Sequence, residues 1–196
     1  TVVGSGSMTV TPASTAIACH GASTGSASIT ANSGTAPYSY SWSNGGSSSS
    51  INNVPAGTYV VTVTDASSCN ATASITVSEP AAISANPTIT QPSCNGSSNG
   101  SVTANISGGT AGYTYNWSNG GTGGSISNIA AGTYNLTVTD AANCTSLQSI
   151  TVNQPSAISA TTSITGATCG QSNGSASVTV SGGTGSYTYN WSNGGT

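Results

Sequence analysis

Apolar residues along the chain come in short runs that alternate with polar ones. Tyr134, Leu136 and Val138 alternate with Asn135, Thr137 and Thr139, the period of a strand with one buried face. Val102, Ala104 and Ile106 repeat the pattern, and Tyr113, Tyr115 and Trp117 share one face of a third run. Ile126 and Ile129 mark a short strand or turn, and Ile150 and Val152 a last strand. The stretch from Ile83 to Thr90 opens the set, and Pro87 inside it predicts an edge or a kink. Turn signals separate the runs: Asn99-Gly100, the glycine-rich residues 108–112, Asn119-Gly120 as a hairpin turn, and Asp140-Ala-Ala-Asn. Six or seven short strands in about 73 residues predict a β-sandwich with the Trp of the third strand in its core.

The same pattern occurs more than once. Cys19, Cys94 and Cys169 are each 75 residues apart, and so are Cys69 and Cys144, Asp65 and Asp140, and Tyr59 and Tyr134. Trp42 and Trp117 keep that spacing, and Trp191 follows 74 residues on because one residue is missing from the turn after Cys169. The predicted organisation is all-β: tandem Ig-like β-sandwiches at residues 8–80 and 81–155, and the first half of a third at 156–196. Residues 1–7 read as the end of a preceding unit or a linker. A period of this length suits small beads better than a solenoid. The linkers Glu79-Pro80-Ala81-Ala82 and Gln154-Pro155-Ser156-Ala157 are short and proline-restricted. They predict a rod-like array at roughly 30–40 Å per bead. The recurring Trp42, Tyr59, Trp117, Tyr134 and Trp191 are the expected structural core. A sugar-stacking platform is the alternative reading of the aromatic stripe.

Charge removes several functions. The 196 residues contain no Lys or Arg and three acids, Asp65, Glu79 and Asp140. Without cations the segment is not expected to bind nucleic acid or anionic membranes. No apolar run approaches the ~20 residues of a spanning helix, so no membrane insertion is expected. Catalytic, cofactor-binding and metal-binding residues are expected to be absent. His20 is the one histidine and has no counterpart in the other copies, which suits an exposed turn residue. Asp65 and Asp140 stand where strands end and read as turn-forming acids, with a calcium site as the weaker alternative.

Regularly placed cysteines in a Ser/Thr-rich chain suit an oxidising, extracellular compartment. Sequence does not fix their connectivity. The simplest repeating choice pairs Cys19 with Cys69 and Cys94 with Cys144, each closing a loop of about 50 residues worth roughly 4 kcal/mol by loop-closure entropy. Cys169 then has its partner beyond the chain end. No secretion leader opens the sequence at Thr1, so the chain reads as an internal segment of a larger secreted protein.

Residues 34–45 (Gly-Thr-Ala-Pro-Tyr-Ser-Tyr-Ser-Trp-Ser-Asn-Gly) and 109–120 (Gly-Thr-Ala-Gly-Tyr-Thr-Tyr-Asn-Trp-Ser-Asn-Gly) resemble the SprB repeat. So do residues 56–69 (Ala-Gly-Thr-Tyr-Val-Val-Thr-Val-Thr-Asp-Ala-Ser-Ser-Cys) and their copy at 131–144. Such repeats occur in giant cell-surface proteins of Bacteroidetes. The namesake is the mobile adhesin of gliding flavobacteria, exported by type IX secretion. The resemblance implies surface display, adhesion and a part in gliding, and it brings no catalytic residues. The leading expectation is a stiff stalk of a secreted surface adhesin. Two alternatives are a self-associating extracellular filament or sheath, and a weak multivalent glycan-binding module. The expected partners are other copies of the chain, surface glycans or substrata.

Overall fold

The computed structural model describes residues 8–195, so the expectation for residues 1–7 lies outside it. The described residues form strands, turns and loops, and no helix among them is long and apolar enough to cross a membrane. Contacts divide the chain into two compact units. One comprises Thr1–Ser84, Ser107–Tyr113 and Val138–Ser146; the other comprises Ala85–Ile106, Thr114–Thr137 and Leu147–Thr196. The division departs from the sequence period, because two loops of the second copy fall in the same unit as the first.

The first unit is built on six strands: β1 (Val10–Thr15), β2 (Gly25–Ala31), β3 (Ser39–Trp42), β4 (Ser50–Val54), β5 (Gly57–Thr64) and β6 (Asn70–Val77). They form two antiparallel sheets, β1-β2-β4 and β3-β5-β6. That order matches the A-B-E and C-F-G sheets of an Ig-like sandwich. On β5, Tyr59, Val61 and Val63 are buried between less buried neighbours, as their alternation requires. With Trp42, Ile29, Ile51, Ile75 and Val77 they make one core. Each such aliphatic side chain contributes roughly 1.5–3 kcal/mol by leaving water. The Tyr59 hydroxyl, at the start of β5, donates to the Pro55 carbonyl at 2.9 Å, as in the tyrosine corner of Ig-like domains.

In the second copy the opening strand is broken at Pro87 into β7 (Ser84–Ala85) and β8 (Thr88–Thr90). Its partner breaks at Asn105, with φ of 46°, into β9 (Gly100–Thr103) and β10 (Ile106–Ser107). The Asn105 side chain donates to the Asn86 carbonyl and the Thr88 hydroxyl, at 3.1 and 2.9 Å. The remaining strands are β11 (Thr114–Trp117), β12 (Ser125–Ile129), β13 (Gly132–Thr139) and β14 (Thr145–Val152). The sheets β8-β9-β12 and β11-β13-β14 repeat the earlier order. Ile126 and Ile129 are both buried although three residues apart. A bulge at Asn128, with φ of 55°, adds one residue and returns Ile129 to the core face.

The hairpin expected at Asn119-Gly120 does not form between consecutive strands. β11 pairs with β13 and β12 pairs with β9, so the chain crosses between sheets after Trp117. The turn closes on itself: Trp117 N–H donates to the Gly121 carbonyl and Gly120 N–H to the Trp117 carbonyl, both at 2.9 Å. With Ile126 and Ile129 needed on the other sheet, burial overrides the local turn preference. In the third copy β15 (Ser159–Thr165) and β16 (Ser175–Ser181) pair with each other, and every residue of β15 is exposed.

Candidate functional site

The most constructed feature outside the cores lies where the chain leaves β6. Ile17 N–H donates to the Ser78 carbonyl at 2.8 Å, which brings the following turn beside the linker. Glu79 then clamps that turn. Its Oε2 accepts the Gly21 N–H at 2.7 Å, and its Oε1 lies 3.1 Å from His20 Nδ1. His20 Nδ1 also lies 3.2 Å from the Pro80 carbonyl. His20 is thus exposed but tied to the linker. Cys19 stands at the head of this turn.

A second turn in the same unit, between β13 and β14, faces Cys19. Asp140 organises it: Oδ1 accepts the N–H groups of Ala142 and Cys144 at 2.9 and 2.8 Å, and Oδ2 accepts the Thr110 N–H at 2.8 Å. The Asp140 residue is 4% exposed. The Thr110 N–H bond is the main reason its carboxyl titrates below the ordinary aspartate range. Burial opposes that shift, and the Cys144 and Ala142 bonds add to it. Asp65 is lowered in the same way, by Thr35 first, against burial, and with the help of Cys69 and Ser67. Both acids form turns, as their positions suggested, and each also reaches a loop 30 residues upstream.

Cys19 and Cys144 are joined by a disulfide, with Cα atoms 5.5 Å apart and a sequence separation of 125 residues. Beside it the linker runs across a glycine pair. Gly109 N–H donates to the Ala81 carbonyl at 2.7 Å, and the Ser146 hydroxyl donates to the Ile83 carbonyl at 3.3 Å. Gly108 and Gly109 have φ of +76° and +63°, and a Cβ on Gly108 would overlap the Ala82 carbonyl. A cleft of about 480 Å³ opens between the disulfide, His20, Ile83 and Asp140.

This bond replaces the expected pairs of Cys19 with Cys69 and Cys94 with Cys144. Cys69, Cys94 and Cys169 are free thiols. The reason is strand length. Cys69 precedes the eight residues of β6, whereas Glu79 and Pro80 hold the Cys19 turn beyond its far end. Eight residues of strand span about 26 Å, while a disulfide needs Cα atoms within about 7 Å. β14 likewise puts eight residues between Cys144 and the Gln154–Pro155 segment that holds Asn95 and Gly96, next to Cys94.

The expected core aromatics occupy several environments. Trp42 and Trp117 are buried, and their Nε1–H groups donate to the Ser48 and Gly123 carbonyls at 2.7 and 2.8 Å. Tyr59 is buried and Tyr134 half-buried, with its hydroxyl donating to the Ala130 carbonyl at 2.9 Å. Trp191 is half-buried in the third copy. Among the described residues, no group of three or more His, Cys, Asp or Glu side chains is placed to hold a metal ion. Sequence reasoning missed Glu79 and its counterpart Gln154, which it took only as linker residues. Their shared position before each linker proline was the available signal.

An Ig-like sandwich repeated along one chain and joined through such a linker defines a class of modular repeat proteins. A family model described as the SprB repeat matches residues 11–47, 86–122 and 161–196, more than half of the chain. The chain belongs to the SprB-repeat family. Each of the first two matches runs from the opening strand to the Trp-Ser-Asn-Gly turn, so residues 56–69 and 131–144 lie outside them. No curated protein matches the chain. Among solved structures, it is similar to a C-terminal 282-residue fragment of intimin, crystallised with the intimin-binding domain of the translocated intimin receptor. The identity is 15% and the TM-score 0.40, over 79% of this chain and 67% of that one.

Proposed function

We propose that this chain is a structural and adhesive segment of a large secreted cell-surface repeat protein, in which Ig-like beads form a stiff stalk. The Cys19–Cys144 disulfide is the observation that carries the reading. It ties the turn beside the first linker to a turn of the next copy, which limits swivelling at Pro80. Family membership supports surface display, and the resemblance extends this to export by type IX secretion and a part in gliding. Partners are surface glycans or substrata, engaged by many copies at once. The absence of Lys and Arg provides a direct test. An antibody to the chain should label intact cells. Trypsin, which has no site in this segment, should leave the epitope intact, and chymotrypsin should remove it. Labelling that needs permeabilised cells would sink the surface reading. Cells lacking the protein should attach less to glass and glide less; unchanged attachment would refute the adhesive role.

A further inference from the structure

We propose that Cys94 is one half of a second disulfide of the Cys19–Cys144 kind, and that its partner is the cysteine of an Asp-x-x-x-Cys turn closing a completed third copy. The half-site is already built. Asn95 Nδ2 donates to the Pro155 carbonyl at 3.0 Å, where His20 Nδ1 faces Pro80. Gly96 N–H donates to Gln154 Oε1 at 2.8 Å, where Gly21 N–H meets Glu79. Gly183 N–H donates to the Ser156 carbonyl at 2.8 Å, where Gly109 N–H meets Ala81. A Cβ on Gly182 would overlap the Ala157 carbonyl, as one on Gly108 would overlap Ala82.

The same cleft also recurs, with a volume of about 360 Å³, between Cys94, Asn95, Ile158 and Gly183. One wall differs. At the first linker the Asp140 turn completes the cleft, Cys144 takes the thiol, and Ile83 is half-buried. At the second, Cys94 is an exposed thiol and Ile158 is 67% exposed. The occupied copy of the site identifies what covers the open one: a turn of the Asp140–Cys144 type. Cys69 is the complementary half. Its N–H donates to Asp65 Oδ1 at 2.9 Å, as that of Cys144 does to Asp140 at 2.8 Å, so it is presented for a Cys19-type turn.

Forming the bond converts two thiols to one disulfide, releasing two protons and two electrons. A dithiol–disulfide oxidoreductase, or oxidised glutathione, accepts the electrons as its own disulfide becomes two thiols.

The test extends the full chain after Thr196 with its own residues 123–155, which supply the missing turn. The 196-residue and extended chains are oxidised in a glutathione buffer, alkylated, and cut before Asp without reduction. Cutting before Asp65 and Asp140 separates Cys19, the pair Cys69 and Cys94, and the pair Cys144 and Cys169 onto three peptides. In the 196-residue chain, peptide 1–64 should stay joined to the peptide beginning at Asp140, and Cys94 should be alkylated. In the extended chain, Cys94 should lose its alkylation and peptide 65–139 should join the added turn. Cys94→Ser should abolish that link, Cys69→Ser should not, and the Cys19–Cys144 link should persist in both as the folding control. The proposal is overturned if Cys94 stays alkylated in the extended chain, or if it pairs with any other cysteine, including Cys94 of a second molecule.

Discussion

At Pro80 and at Pro155 the chain makes the same bonds with different chemistry. The first linker uses an acid and an imidazole, Glu79 and His20; the second uses two amides, Gln154 and Asn95. The Gly-Gly contact with the passing linker is the same at both. What the clamp requires is therefore an acceptor at one position and a side chain reaching the proline carbonyl at the other, with charge incidental. The second linker keeps these bonds with Cys94 free. The disulfide at the first linker thus locks a turn that backbone and side-chain hydrogen bonds have already shaped.

The largest separation between the two linkers comes from deleting each thiol. Cys144→Ser removes a cross-link closing 125 residues and should cost about 5 kcal/mol by loop-closure entropy. Cys94→Ser in the same chain should change stability by less than about 0.5 kcal/mol. Denaturant unfolding of both variants reads the difference, and equal losses would break the comparison. Next, Gly108→Ala puts a Cβ into the Ala82 carbonyl at φ of +76° and should cost about 2–3 kcal/mol in the same measurement.

A smaller and pH-dependent effect belongs to Asp140. Its carboxyl is lowered in the folded state, so its stabilisation is present above the ordinary aspartate value near ~4 and is lost as pH falls below that. Asp140→Asn offers one acceptor oxygen where the acid uses two, and it loses the Thr110 bond or those to Ala142 and Cys144. The variant should be less stable at neutral pH and show a flatter acid-unfolding limb. A limb as steep as that of the parent would assign the acid sensitivity elsewhere. The smallest effect is expected for Glu79→Gln, which copies the second linker into the first. Stability should stay within about 0.5 kcal/mol, with the Gly21 N–H equally protected from hydrogen exchange. A larger loss would show that charge matters to the clamp.

Much of the sandwich was legible in the sequence because its strands alternate cleanly. Tyr59, Val61 and Val63, and Leu136 and Val138, announce one buried face each, and Pro87 announces its break. Asn119-Gly120 misled because it has the composition of a hairpin turn, while the sheet that takes up β12 is chosen by burial of Ile126 and Ile129. The disulfide was not legible for a different reason. Pairing within copies and pairing between neighbouring copies repeat with the same period, so periodicity cannot choose between them. What chooses is the end of β6 at which each cysteine stands, and that depends on Ile17, Glu79 and Pro80 bonds formed only after folding.

The position of the one closed disulfide has a mechanical consequence. Tension applied along the backbone passes from Cys19 to Cys144 through sulfur, and the residues between them carry none of it. A loop of 125 residues has a contour length on the order of 400 Å, all of it withheld from extension until the bond is reduced. Both buried tryptophans, Trp42 and Trp117, lie within that sheltered loop. A second bond starting at Cys94 would begin before the first one ends, so tension would pass from one bond to the next across residues 94–144.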